Sequence, residues 1–164
     1  MIDLSRLKPR LALPGRTPVT GVPQGLDAML LPEIAKAAET RMVVHVAVDD
    51  QRAAVLADQL AYFAPRLDIL RFPAWDCLPY DRVSPVADIV ARRLATLARL
   101  LEPVSRPLVL LTTVNAILQR VVPRSLIEGQ TFAAAPGNRV NSDELISFLA
   151  GNGFSRTGTV VDPG

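Results

Sequence analysis

The chain has 164 residues, of which 49% are hydrophobic and 5% aromatic, and a formal net charge of +2. That apolar content excludes a disordered chain and fits one domain with the start of a second. Lys8 and Lys36 are the sole lysines among 18 cationic residues and the arginines do not cluster, which excludes a basic nucleic-acid stripe; so few aromatics exclude a base-stacking platform.

The single cysteine, Cys77, cannot form an internal disulfide, which fits a reducing, cytoplasmic compartment. The opening MIDLSRLKPR has no apolar core of a secretory signal. No apolar run approaches the roughly 18 residues of a membrane span.

In chain order, residues 1–16 are rich in proline and basic residues and are expected to be loosely ordered. A short strand is predicted near residues 17–21. Leu26, Met29, Leu30, Ile34 and Ala37 recur at helical spacing and predict a helix over 26–39, weakened or kinked by Pro32. MVVHVAV, residues 42–48, is a near-continuous β-branched run of the kind buried on both faces of a parallel sheet. Asp49 and Asp50 can cap a helix over 51–63. LDILRF, residues 67–72, predicts the next strand. After a proline-rich loop, Ser84 as N-cap and Pro85 at the first helical position predict a helix from 85 to 101, with Asp88 at its positive end. PLVLLT, residues 107–112, predicts a further strand, and Thr113 a cap for a helix to about residue 121.

Strands alternating with helices predict α/β architecture around a parallel sheet. Beyond Pro123 the texture changes. Short strands are predicted over 130–135 and 154–161, flanking a helix through 151 capped by Asn141, with Glu144 as its capping-box partner. This β-α-β tail reads as the start of a smaller domain from about residue 129, cut at the Asp-Pro-Gly turn. The other arrangement has it fold back on the main domain.

A phosphate-gripping loop needs G-x4-G-K-[ST] after the first strand, for its amides, its cation and its hydroxyl. TGVPQGLDAM stands there, residues 20–29. Three residues separate Gly21 and Gly25 instead of four, and Leu26 and Asp27 replace the cation and the hydroxyl. An ordinary strand–helix turn is the better reading. VVHVAVDD superficially resembles a Walker B strand, but Asp49 and Asp50 read as caps. His45 reads as a packed strand residue, with no second histidine for a metal site or triad. Cys77 lacks CxxC spacing. Asp76 and Asp81 share a loop with nothing to separate their pKa values. In that loop Pro79 fixes a turn, and Trp75 and Tyr80 can bury their rings while their polar tips find partners. Packing is the favoured role for the loop, with chemistry the alternative.

AWDCLPYDRVSPVADIVARRLATL and PLVLLTTVNAILQRVVPRSLIEG together resemble the bacterial transcription-repair coupling factor family, Mfd, over about residues 67–129 and more weakly to 164. The matched positions are Trp75, Pro79, Tyr80, Asp81, Ser84, Pro85, Asp88 and Arg93, then Asn115, Gln119 and Arg120. The resemblance implies a long ATP-driven DNA translocase that displaces stalled RNA polymerase and recruits the repair ATPase UvrA. It implies for this stretch a fold like the first and second domains of UvrB: a RecA-like, helicase-like domain with a degenerate nucleotide site over 1–128, and part of a UvrA-binding-type α+β domain over 129–164. No catalysis and no cofactor are expected of this stretch. Polymerase and DNA would be met by domains outside it, and the rest of the protein intramolecularly. The family's UvrA-docking arginine follows the Asp-Pro-Gly, so UvrA binding is expected to be weak or lost, with Arg139 and Arg156 as surface candidates. The alternatives are a nucleotide-dependent helicase domain with an atypical phosphate site and a stand-alone α/β interaction domain.

Overall fold

The computed structural model describes residues 8–11, 13–78, 82–128, 131–132, 134 and 136–158. The described chain divides into two compact units, Met1–Val121 and Val122–Gly164.

The first unit is a three-stranded, all-parallel sheet with helices on both faces. Its strands are β1 (Met42–Ala47), β2 (Asp68–Phe72) and β3 (Leu108–Thr113), in the order β1-β3-β2. Val43 pairs with Val109 and Ile69 with Val109 across the central strand. Because side chains alternate across a strand, these residues share one face. There α2 (Asp27–Ala37) and α3 (Asp50–Phe63) cover them, with Ala28, Leu31, Ala35, Leu56, Leu60, Val109 and Leu111 forming the buried core. The opposite face, carrying Asp68 and Phe72, receives α4 (Ala87–Leu101). A four-residue helix, α5 (Val114–Ile117), follows β3 directly.

Local chemistry accounts for several element boundaries. The Asp49 side chain accepts the Arg52 N–H at 2.7 Å and starts α3. Thr113 Oγ1 accepts the Ala116 N–H at 3.3 Å and starts α5. Pro32 neither ends nor splits α2. It is buried within it, so packing outweighs the lost hydrogen bond.

Other expectations are corrected. Residues 17–21 form no strand. Pro18 within the stretch and Pro23 just after it cannot donate to a ladder, Gly21 turns at φ +71°, and almost all of the stretch lies exposed. β1 is not buried on both faces: Val44 and Val46 are exposed, since β1 is an edge strand and α4 covers β2. Helix α4 starts at Ala87, two residues later than expected, and Ser84 is not its cap. Val86 holds the N-cap position in an extended backbone, and its N–H is taken by the Asp76 carboxylate at 3.3 Å. The helix after Thr113 stops at Ile117 instead of near 121, where β-branched Val121 and Val122 lead into Pro123. In the segment expected to be loose, α1 (Lys8–Leu11) forms one helical turn.

The second unit contains α6 (Arg124–Ile127), which the sequence reading missed, and α7 (Ser142–Gly151). Asn141 caps α7 by accepting the Asp143 N–H at 3.1 Å. Phe132 packs on Phe148 with ring centroids 5.6 Å apart. The strands expected over 130–135 and 154–161 are absent among the described residues, which there are 131, 132, 134 and 154–158; the remainder lie outside them. No α7 residue is fully buried, and Ile146 on it is 42% exposed, so among the described residues no strand covers this helix.

Candidate functional site

Two clusters carry the residues singled out above. The first lies at the carboxyl ends of the strands. Helix α2 begins with Asp27, whose Oδ1 accepts the Ala28 N–H at 3.0 Å. Its other oxygen pairs with the Arg52 guanidinium, from the first turn of α3. Both side chains are about one-fifth exposed, so the pair is partly shielded from water. An acid in the first turn complements the helix's positive end. His45 lies near both charges. Burial, foremost, holds its pKa below the ordinary histidine value; Asp27 pulls it up and Arg52 pushes it down.

A nucleotide fits this arrangement badly. The chain's own carboxylate already sits at the amino end of α2, and Arg52 is paired to it. The cleft beside Asp50, Phe72, Thr112 and Thr113 has about 30 Å³, on the scale of a water molecule. Among the described residues no group of three or more histidine, cysteine or acidic side chains could hold a metal ion.

The second cluster joins the two sequence motifs. Arg93 is 2% exposed, and its guanidinium lies between two rings, 4.1 Å from the Phe72 centroid and 4.2 Å from that of Trp75. Rings on both faces of a desolvated guanidinium give a strong cation–π contact. The group also donates to the Pro73 carbonyl at 2.6 Å and to Gln119 Oε1 at 3.3 Å. Burial draws the Arg93 pKa down, but a guanidinium stays charged at neutral pH. Gln119 Oε1 also accepts the backbone N–H of Trp75 at 2.8 Å. Thr96 Oγ1 donates to the Arg71 carbonyl at 2.7 Å and Thr112 Oγ1 to that of Phe72 at 3.0 Å, which ties the end of β2 to α4 and β3.

The structure thus brings Trp75, Arg93 and Gln119 together. It leaves Ser84, Asn115 and Arg120 exposed. Pro85 is half-buried ahead of α4, and Asp88 forms an exposed pair with Arg92, at 2.7 Å, one turn on. Pro79, Tyr80 and Asp81 lie outside the described residues. Arg139 and Arg156 are exposed in the second unit, and Cys77 is a half-buried free thiol. Sequence reading missed Phe72, Thr96 and Arg52. Their residue types carry no motif, and only the fold brings them to their partners.

No protein-family model matches the chain. Curated relatives do. It is 34% identical over 137 residues to the transcription-repair-coupling factor of Escherichia coli (strain K12), covering 84% of this chain and 12% of that protein. The same-named proteins of Myxococcus xanthus and Rickettsia bellii (strain RML369-C) are 35% identical over 130 residues and 31% over 121; each match covers 74% of this chain and 11% of the relative. The chain therefore spans about one-eighth of the length of these relatives. Over the stretch it spans, the chain belongs to the transcription-repair-coupling factor family.

Proposed function

We propose that this chain is a non-catalytic scaffold module of a transcription-coupled DNA repair factor, with a RecA-like fold resembling the UvrB domains and a role in recruiting UvrA. The observation that carries the reading is Asp27. Where a helicase would grip phosphate with a lysine and a hydroxyl, this chain has an acid already bound to its own helix and to Arg52. Phosphate brought there would meet a carboxylate instead of a free cation. The buried Arg93 cluster supports a scaffold role for the motif loop, since its polar groups are spent on holding β2, α4 and the Gln119 turn together.

In this reading residues 1–128 form the degenerate helicase-like domain and 129–164 belong to a UvrA-binding-type domain. The module acts in the cytoplasm without a cofactor. Polymerase and DNA are engaged by other parts of the longer protein, and UvrA only weakly by this stretch. No helix among the described residues is long and apolar enough to cross a membrane.

Two measurements test the halves separately. Thermal melting with millimolar Mg-ATP is expected to show no shift, because a ligand that binds the native state raises the melting temperature. A clear rise, or ATP hydrolysis lost on changing Asp50, replaces this reading with the helicase one. Pull-down by UvrA is then compared between this chain and a version extended beyond Gly164. Stronger retention of the longer form supports recruitment, and retention of neither overturns it.

A further inference from the structure

At the opposite end of the sheet lies a groove that neither cluster uses. The strands are parallel, so Leu67 before β2 and Pro107 before β3 mark the end away from Asp27 and Arg52. The groove there has about 600 Å³, within the range of ligand-binding clefts. Its floor is apolar, made chiefly by Met29, Pro32, Phe63 and Leu67. Met29 is 40% and Phe63 52% exposed, so this surface lacks a cover among the described residues of the first unit.

The rim is cationic. Lys36 is committed to Glu33 at 2.5 Å. Arg106 reaches Asp68 at 3.8 Å, but that carboxylate is held more closely by Arg99, at 3.2 Å. Arg66 makes no ion pair among the described residues. The groove thus sets two under-neutralised guanidiniums beside an uncovered apolar floor.

We infer that this groove docks a short peptide segment of another protein, one that lays a bulky apolar side chain on Met29 and Phe63 and presents a carboxylate to Arg66 and Arg106. Covering the floor supplies burial energy. The guanidinium fork matches a carboxylate in two parallel hydrogen bonds. Phosphates of a nucleic acid would use the cations but leave the floor uncovered, and would face Glu33. The inference does not depend on nucleotide or UvrA binding.

The test is selection of a displayed library of short random peptides against the full chain, followed by fluorescence anisotropy with the enriched peptides. Enriched sequences are expected to pair an aromatic or aliphatic residue with a nearby Asp or Glu. Binding should weaken about tenfold or more in Arg66→Glu/Arg106→Glu, the scale of a lost interfacial charge pair. Changing the peptide's acid to its amide should do the same. Circular dichroism should show the fold retained, since both arginines are exposed and Asp68 keeps its closer partner Arg99. Amide resonances of Met29, Phe63 and Leu67 should shift on titration. Selection of peptides without acids overturns the inference. So does binding unmoved by the charge reversal, a failure to enrich any peptide, or sedimentation showing a dimer of this chain that covers Phe63.

Discussion

The side-chain oxygen of Gln119 accepts the Arg93 guanidinium at 3.3 Å, and the same oxygen takes the backbone N–H of Trp75 at 2.8 Å. One acceptor thus joins the motif loop, α4 and the turn after α5. Gln119→Ala leaves a half-buried N–H and a buried cation short of a partner, and is expected to cost about 1–3 kcal/mol in urea unfolding. Gln119→Glu keeps the acceptor and should recover most of that. A double-mutant cycle with Arg93→Ala should show coupling of roughly 0.5 kcal/mol or more. Strict additivity would mean the shared oxygen couples nothing.

Arg93 is the largest fully buried side chain among the described residues, and it packs through ring faces and a backbone carbonyl. Arg93→Ala should destabilise by on the order of 3 kcal/mol, from the cavity and the lost stacking. Arg93→Lys should also destabilise, because an ammonium cannot lie flat between Phe72 and Trp75. Trp75→Ala should cost about 2 kcal/mol, below the range for fully buried aromatics, since Trp75 is half-buried. Trp75 is the sole tryptophan, so its emission should move to longer wavelength in Arg93→Ala. Unchanged emission would place the ring elsewhere.

Asp27→Ala removes a first-turn acceptor and the partner of Arg52, and should destabilise by about 1–2 kcal/mol. Asp27→Asn keeps the Ala28 hydrogen bond and should cost less. If the two are equal in thermal melts, the ion pair rather than the helix contact carries the effect.

His45 gives a pH signature. Its folded pKa lies below the ordinary value of about 6.5, chiefly through burial. The unfolded chain therefore binds the proton more readily, and stability rises with pH between the two pKa values. His45 thus imposes no penalty above about pH 6.5, and stability falls as pH drops from there through the folded pKa. His45→Gln should flatten this part of the stability–pH curve. An unaltered slope would assign the dependence to other groups.

The main strands and helices were legible because their signals are local. The run before Asp49, the alternation of strand and helix, and the caps at Asp49, Thr113 and Asn141 all depend on neighbours within one turn or strand. The sequence at residues 20–29 likewise shows by itself that the cation and hydroxyl of a standard phosphate loop are missing there. Tertiary structure alone decided the rest. Whether Val44 and Val46 are covered depends on which strand is central. Ser84 lost its capping role because Asp76, in the same loop, binds Val86 instead. Arg93 looks from its sequence like one more helix arginine. It becomes a core residue only when the fold places Phe72 and Trp75 on its two faces, because burial of a charge depends on partners brought from distant parts of the chain.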